Sequence, residues 1–171
     1  NIMLPYRKST RLQGYDYSNE GLYFITICVN ERKPILGIVK DWEMNLNDNG
    51  KIVLNCWYDL PNHYDNVILH DFCIMPNHIH GIIQLSNERA GLKPAPTIKT
   101  IHPLSEIVRA LKTFSSRKIN ERNGTQGCPL WQRNYYEHII RSDSMYTTIS
   151  DYIKENPKRW IYDQFYFKEN T

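Results

Sequence analysis

The sequence predicts one α+β domain built on a central, mostly antiparallel sheet. A chain of 171 residues can bury one sizeable core and is short for two domains. Strand-like and helix-like segments follow one another in the order β-β-α-β-β-α-β-α, which is typical of an antiparallel sheet with helices packed on it. Neither an internal repeat nor a break in composition divides the chain, so residues 1–171 are expected to form a single unit.

The first third of the chain predicts two strands and a helix. Residues 22–29 are β-branched and aromatic and predict a strand, and residues 35–40 predict a shorter one after a polar turn. In residues 50–64 the apolar side chains are spaced by one, three and four positions, which is typical of an amphipathic helix. Pro61 is expected to end or bend that helix because proline lacks a backbone N–H and clashes with the preceding turn.

The middle of the chain predicts two more strands and then a long loop. Residues 67–75 and 78–85 are apolar runs on either side of a Pro-Asn dipeptide, which favours a tight reversal between neighbouring strands. Residues 86–103 contain three prolines and no periodicity. They predict a loop of the length that is usually functional or mobile.

The last third predicts a helix, a strand and a second helix. Residues 105–122 have apolar side chains on one side and basic ones on the other, which predicts a basic amphipathic helix. Residues 131–141 predict a strand or extended segment. Ser142 suits the N-cap of a final helix that runs past Tyr152 and stops at Pro157.

Composition and charge exclude several classes of protein. The four cysteines form no CxxC pair, and the longest apolar run, residues 23–29, is far too short to span a bilayer. We therefore expect neither a disulfide scaffold nor a membrane protein, and a cytoplasmic setting by default. The net charge of +3 is confined to residues 104–171, which hold 11 basic and 8 acidic side chains. The basic helix within them is either an ordinary solvated face or a phosphate-contacting one.

His78 and His80 are the sharpest chemical feature. On a strand, residues i and i+2 point to the same face, so both imidazoles project together and the intervening positions face the core. Two such imidazoles can converge on one divalent metal ion, or simply line a polar sheet face. A histidine-triad nucleotide hydrolase would need a third histidine at Ile82, and a two-histidine phosphoesterase would need Ser or Thr at position 80. Both of those classes are disfavoured.

Tyr152 and Asn156 lie four positions apart on the last predicted helix. That spacing puts both side chains on one helix face, one turn apart. A tyrosine hydroxyl and an amide oxygen on that face could both meet the histidine pair. The alternative is a half-buried core tyrosine and an asparagine that caps the helix before Pro157.

In combination, these motifs resemble those of a known family. The Pro-Asn-His-Ile-His sequence at residues 76–80 resembles the His-hydrophobe-His motif of HUH nucleases. Residues 131–141 and 151–157, the latter with Tyr-x-x-x-Asn-Pro, look like the carboxy-terminal half of REP-associated tyrosine transposases, domesticated relatives of insertion-sequence single-tyrosine transposases. Residues 11–18 and 23–26 resemble the opening of that family, so the resemblance covers nearly the whole chain in order.

The resemblance implies a fold and a set of roles. The fold would be a ferredoxin-like or RRM-like sandwich with its helices on one face of the sheet. His78 and His80 would be metal ligands and Asn156 the third, at a position where related mobile-element enzymes often carry Gln. Tyr152 would attack a DNA phosphodiester, releasing a 3′-hydroxyl and keeping the 5′-phosphate as a phosphotyrosine. The ion, Mg²⁺ or Mn²⁺, would withdraw charge from the phosphate.

The partner implied by the resemblance is hairpin-forming repetitive extragenic DNA with a short single-stranded guide. The protein would act at the bacterial nucleoid as a monomer or a homodimer. Residues 1–20 would form an amino-terminal arm that contributes phosphate contacts. His138 could support the metal, contact DNA or simply form a structural hydrogen bond. The residues expected to contact DNA are Arg7, Arg11, Arg109, Lys112, Arg117, Arg133, Tyr136, His138 and Arg141.

Two other functions compete with strand transfer. The same fold could be a non-catalytic module that holds structured DNA or RNA through the basic helix. A metal-dependent hydrolase of small phosphoesters is the third class, and the missing third histidine and the Tyr152–Asn156 pair argue against it. A covalent phosphotyrosine adduct would separate strand transfer from both alternatives.

Overall fold

A computed structural model describes residues 20–86 and 101–166. In chain order its helices and strands are β1 (Gly21–Cys28), β2 (Gly37–Lys40), β3 (Glu43–Leu46), α1 (Asp48–Tyr58), α2 (Leu60–His63), β4 (Val67–Met75), β5 (His78–Leu85), α3 (Leu104–Asn123), β6 (Tyr136–Ile140) and α4 (Asp143–Glu155). Nearly all of the predicted arm 1–20 and most of the predicted loop 86–103 lie outside the described residues. Within the part that is described, no helix has the length and apolarity needed to cross a bilayer.

Four strands form one sheet in the order β4-β5-β1-β6, and each neighbouring pair is antiparallel. Because α1 lies between β1 and β4, and α3 lies between β5 and β6, the sheet has the βαββαβ arrangement of a ferredoxin-like fold. β2 and β3 form a separate hairpin inserted between β1 and α1. The predicted α+β class with a central antiparallel sheet is confirmed.

The sheet is covered on both faces. The main core lies against α1 and α3 and includes Trp57, Ile79 and Leu111. On the opposite face α4 contributes Ile153 to a second cluster with Ile82 and Ile140. The expectation that the helices share one face is thus corrected for α4. The physical reason is that this face also carries apolar side chains, among them Leu22, Phe24 and Ile82, which α4 removes from water.

Three segments differ from the predicted extents. The helix predicted at residues 50–64 is divided into α1 and α2, because Pro61 in the first turn of α2 cannot donate the hydrogen bond that would continue α1. The strand predicted at residues 131–141 is shortened to β6, and Trp131 forms only an isolated bridge with Val29. β3 was not predicted, because its four residues offer too few apolar positions for a period to be recognised.

Gly81 is where β5 comes closest to the Trp57 indole. A Cβ there would overlap the ring, at 2.9 Å from Cζ2 and 3.0 Å from Phe72 Cδ2. Because the two rings are stacked with centroids 4.1 Å apart, neither has room to withdraw. Gly81→Ala is therefore expected to lower the free energy of unfolding by about 2–3 kcal/mol.

The matched control for this change is Gly21→Ala at the start of β1, where a Cβ would meet only the Tyr23 ring at an ordinary 3.5 Å. Urea unfolding of the two variants and the parent protein measures the difference. Equal stability of both variants would contradict the close packing at Gly81.

Candidate metal and nucleophile site

His78 and His80 lie side by side on β5, on the face that α4 covers. Their Nε2 atoms are 3.0 Å apart, and the rings meet edge to face with centroids separated by 4.5 Å. The residues are 0% and 2% exposed. The common face predicted from the strand spacing is confirmed, and the role as metal ligands stays a prediction.

Asn77 fixes the tautomer of His78. Its Nδ2 donates to the carbonyl oxygens of Arg32 at 3.1 Å and Phe165 at 2.7 Å. Its Oδ1 therefore faces His78 Nδ1, at 2.8 Å. Because an amide oxygen only accepts, His78 Nδ1 carries the proton and Nε2 keeps its lone pair. Metal-binding histidines usually have such an orienting partner on their other ring nitrogen.

Thr26 holds His80 from the neighbouring strand β1. Its hydroxyl lies 2.7 Å from His80 Nδ1, and the two residues are direct partners in the β1–β5 ladder. A hydroxyl both donates and accepts, so Thr26 suits either tautomer of His80. When His80 Nδ1 carries the proton, both Nε2 lone pairs converge on one point, an arrangement that a cation stabilises.

Tyr152 and Asn156 approach the pair from α4, which Ser142 caps as predicted. The Tyr152 hydroxyl lies 3.2 Å from His80 Nε2. Asn156 is 1% exposed, and its side chain lies near enough to Tyr152 and Asp163 to favour the ionised form of each, which opposes the rise that burial causes in both pKa values. Its Oδ1 is buried without a hydrogen-bond partner among the described residues. Such an acceptor is uncommon in native structures and indicates a donor or a cation that completes the site.

Three contacts anchor α4 to β4. Ser150 Oγ donates to Asp71 Oδ2 at 2.5 Å, and Lys154 Nζ lies 3.4 Å from Asp71 Oδ1. The Tyr146 hydroxyl lies 3.1 Å from His70 Nδ1. His70 and Asp71 lie at an irregularity in the β4–β5 register, where a strand re-aims its side chains. Sequence reasoning missed this anchor because neither residue belongs to a motif.

Asp163 is a further candidate that sequence reasoning missed. One of its carboxylate oxygens and one nitrogen from each of His78 and His80 all lie within 4.8 Å of one another. The chain leaves α4 at Pro157, and residues 157–166 turn back over the histidines, so no periodicity relates Asp163 to the earlier motif. The same segment places Phe165 against His78, with ring centroids 4.7 Å apart.

Burial keeps the imidazoles neutral. It lowers the pKa of His80 to about 3. Burial, together with neighbouring His80 and Arg32, lowers the pKa of His78 to about 2. Burial also raises the pKa of Tyr152, an effect to which the Asp163 charge adds and which the Asn156 side chain opposes. The phenol is therefore un-ionised at neutral pH in the absence of a cation.

These depressed pKa values predict that the metal-free protein loses stability in acid. In the unfolded chain a histidine takes up its proton near pH 6.5, whereas in the folded protein His78 and His80 remain neutral down to about pH 3. The free energy of unfolding should therefore fall as the pH drops below about 6.5, by about 2 kcal/mol per histidine at pH 5. The pKa of Asp163 is raised by burial, which opposes part of this loss.

Denaturant unfolding in EDTA at pH 7.5 and pH 5 measures this loss. The exposed His63, which is paired with Asp59, provides the control. His63→Gln should keep the parent's dependence of the unfolding free energy on pH. A double variant carrying both His78→Gln and His80→Gln should weaken that dependence. Equal stability of the parent protein at the two pH values would contradict the prediction.

The donor set fits a divalent cation. It combines two neutral imidazoles, whose Nε2 atoms converge, with the Asp163 carboxylate and the unpartnered oxygen of Asn156. Imidazole nitrogens and carboxylate or amide oxygens all bind such ions. Of the described residues, His78, His80 and Asp163 form the one such cluster of histidine, cysteine and acidic side chains.

The predicted DNA contacts on α3 differ in their availability. Arg109, Lys112 and Arg133 line a cavity of about 470 Å³ between α3 and the chain that follows it. The Lys112 ammonium donates to the carbonyl oxygens of Gln132 at 2.7 Å and Arg133 at 2.9 Å, so it is already engaged within the protein. Arg117 is exposed further along the helix. Two predicted contacts lie outside the described residues, namely Arg7 and Arg11.

Two of the predicted contacts on β6, Tyr136 and His138, lie on the same sheet face as the histidine pair. His80, Thr26 and Tyr136 lie directly opposite one another on β5, β1 and β6, so about two strand spacings of roughly 4.8 Å separate Tyr136 from His80. Tyr136 is 50% exposed. His138 is exposed in the next row and contacts Met145 of α4 (Nε2–Sδ, 3.3 Å). Arg141 follows β6, just before α4, and is exposed.

A match to a known family spans most of the chain. Residues 22–156 match the family described as IS200-like transposases. The chain belongs to this family. The match includes the histidine pair, Tyr152 and Asn156. The family predicted from the motifs is therefore confirmed, and membership places the chain among DNA-processing enzymes.

Two proteins of Haemophilus influenzae are similar to this member of the transposase family over most of its length. One, an uncharacterized protein, is 37% identical over 175 residues, which cover 97% of this chain and 96% of the relative. The other, a candidate REP-associated tyrosine transposase, is 26% identical over 162 residues, which cover 88% of this chain and 83% of the relative.

Two solved structures show the fold of this transposase-family chain. A REP-associated tyrosine transposase bound to a REP hairpin has a TM-score of 0.58 at 20% identity, covering 92% of this chain and 74% of that one. A candidate transposase from Deinococcus radiodurans has a TM-score of 0.51 at 17% identity, covering 84% of this chain and 95% of that one.

Proposed function

We propose that this chain is a metal-dependent single-strand DNA endonuclease and strand transferase that acts on hairpin DNA through a 5′-phosphotyrosine intermediate. The observation that carries the proposal is the position of the Tyr152 hydroxyl, 3.2 Å from His80 Nε2 and beside the converging nitrogen of His78. In a family of transposases, a phenol next to two neutral imidazoles favours attack on a DNA phosphodiester.

Tyr152 is the nucleophile in this reaction. Its Oη forms a bond to phosphorus while the bond from phosphorus to the 3′ oxygen breaks. Tyr152 gives up its phenolic proton, and the departing 3′ oxygen takes up one proton and leaves as a 3′-hydroxyl. The phosphotyrosine keeps the energy of the original phosphodiester, so another 3′-hydroxyl can take up the strand without ATP. The contact between Ser150 and Asp71 helps α4 to hold the nucleophile in place.

His78, His80 and Asn156 are the proposed metal ligands, with the Asp163 carboxylate as a fourth. When bound, Mg²⁺ or Mn²⁺ supplies Lewis-acid chemistry, withdrawing charge from the phosphate. The side chains of Asn77 and Thr26 orient the two imidazoles. All of these residues belong to one chain, so a monomer is sufficient for a complete site, and a homodimer that exchanges α4 is the alternative.

Access of DNA to this site requires a movement of residues 157–166. His78, His80 and Asn156 are 0%, 2% and 1% exposed, and Phe165, itself 5% exposed, lies against the histidine rings. A phosphate reaches the nitrogens only when this segment moves aside. The segment is held by the Asn77 hydrogen bond to the Phe165 carbonyl and by the Arg32 guanidinium 5.0 Å above the Phe165 ring.

The DNA hairpin would contact two surfaces of the protein. Tyr136, on the sheet face of the histidine pair, would stack on a base next to the scissile phosphate. His138, in the next row of that face, and the exposed Arg141 after β6 would contact the same DNA. Along α3 and the adjoining cavity, phosphates of the stem would meet three basic residues, Arg109, Arg117 and Arg133, whereas the Lys112 ammonium is engaged by backbone carbonyls. Arg7 and Arg11 would extend this contact from the amino-terminal arm. The bacterial nucleoid would be the place of action.

A nicking assay on a labelled hairpin carrying a single-stranded extension tests the proposal. With Mn²⁺ the protein should release a fragment with a 3′-hydroxyl and retain the other fragment as an adduct that survives denaturing electrophoresis. EDTA should prevent both. Hairpin binding that persists in EDTA, together with no cleavage of any hairpin, would favour the non-catalytic binding module. Cleavage without an adduct would favour a phosphoester hydrolase.

A further inference from the structure

The β-hairpin formed by β2 and β3, between β1 and α1, has an unusual turn. Lys40 and Glu43 are paired across the hairpin, so Asp41 and Trp42 form a two-residue loop. Both have positive φ, at 52° and 65°, which is a type I′ turn. Such turns strongly favour Asn-Gly or Asp-Gly, because the second position adopts the left-handed conformation that only glycine tolerates freely. A tryptophan at that position is strained.

Strain of this kind is confined to one stretch of the described chain. The non-glycine residues with positive φ are Glu31, Arg32, Asp41 and Trp42, all within residues 31–42. Burial of the side chain does not compensate for this backbone strain, because Trp42 is 61% exposed. Ile38, on the same hairpin, is 64% exposed. Strained residues persist where function requires their position, and neither the core nor the proposed catalytic site uses Trp42.

The root of the hairpin is fixed next to the histidine pair. Leu36 is fully buried, and its N–H donates to the carbonyl of Pro76 at 3.0 Å, two residues before His78. Leu36 O accepts from Asn47 N at 3.2 Å, so both strands of the hairpin are held at this end. β3 also packs against Pro157–Tyr162, the segment that begins after Asn156. The strands β2 and β3, each four residues long, place Trp42 about 13 Å from this fixed end of the β-hairpin.

We infer that Trp42 is a stacking residue for an unpaired base of the DNA that the histidine site processes. An indole held on a rigid, two-residue turn offers a large flat surface at low entropic cost. The faces of a base are accessible to it only when the base is unpaired, and base–aromatic stacking is the usual contact of proteins with single strands. Exposed Arg159 on the neighbouring segment suits the phosphates of such a strand. The identity of the ligand rests on the proposed function.

Fluorescence anisotropy with two labelled hairpins tests this inference, one blunt and one carrying a single-stranded extension. Trp42→Gly should weaken binding of the extended hairpin by about 5- to 150-fold and leave binding of the blunt hairpin unchanged. Trp42→Phe should bind the extended hairpin within about threefold of the parent protein. Tyr58→Ala removes an aromatic residue that is equally exposed (62%) on α1, and should leave both affinities unchanged.

Thermal unfolding separates a binding role from a structural one. Because glycine adopts the turn conformation without strain, Trp42→Gly should unfold at no lower a temperature than the parent protein, while Trp42→Ala, which keeps the strain, should unfold below Trp42→Gly. Parent-like affinity of Trp42→Gly for the extended hairpin would overturn the inference and leave the proposed function standing if the parent still forms the adduct. A parent protein that binds neither hairpin would overturn both.

Discussion

Tyr152→Phe is expected to abolish the covalent protein–DNA adduct and to lower the nicking rate about 10³-fold or more. The change removes only the oxygen that forms the bond to phosphorus. The ring keeps its edge-on contacts with His80 and Phe24, whose centroids lie 5.2 Å and 6.2 Å away, so the fold and the metal site should be retained. Denaturing electrophoresis of the reaction with a labelled hairpin measures the adduct, and single-turnover kinetics measures the rate.

Tyr146→Phe is the matched control for this change. Tyr146 lies on the same helix, and its hydroxyl contacts His70 rather than the histidine pair. The control should keep the adduct and lose at most a few-fold in rate through looser docking of α4. An adduct formed by Tyr152→Phe at the parental rate would remove Tyr152 from the role of nucleophile.

His80→Ala is expected to lower the affinity of the protein for Mn²⁺ about 100-fold or more. Because nicking depends on the bound ion, the variant should also fail to nick DNA. Loss of a direct ligand should exceed the 10- to 100-fold effect that is usual for the partners that orient ligands. Calorimetric titration with Mn²⁺ in the absence of DNA measures this without reference to activity. Thr26→Val, which removes only the hydroxyl 2.7 Å from His80 Nδ1, should give a smaller loss.

His63→Ala is the control for the titration, since His63 is exposed and paired with Asp59. It should bind Mn²⁺ like the parent protein. Circular dichroism establishes that His80→Ala is folded. If the folded variant bound Mn²⁺ with parental affinity, the histidine pair would not be the metal site.

The elements that sequence reasoning predicted best are those in which local pattern and tertiary role agree. The strands predicted at residues 67–75 and 78–85 coincide with β4 and β5, because apolar residues interrupted by a Pro-Asn reversal specify a hairpin locally. Ser142 caps α4 through its own side chain, which is again a local interaction. The shared face of His78 and His80 follows from the two-residue period of a strand alone.

Long-range contacts were less accessible to sequence reasoning. Lys112 was predicted to contact phosphates. In the structure it donates to the carbonyl oxygens of Gln132 and Arg133, which are 20 and 21 residues away in sequence. Asp71 and His70 are ordinary polar residues in the sequence, and only the irregular pairing of β4 turns them toward α4. The covering of both sheet faces likewise depends on where α4 docks.

The sequence by itself determined the family, through its motifs, and the approximate positions of the four strands that form the main sheet. It also placed two histidines on one strand face and Tyr152 with Asn156 on one helix face, because periodicities of two and of 3.6 residues act over a few positions. Only the tertiary structure decided that the two faces meet, with the Tyr152 hydroxyl 3.2 Å from His80, and that Asp163 joins them. The physical reason is that docking of α4 and the return of residues 157–166 depend on packing between segments some 70 residues or more apart, which no local pattern records.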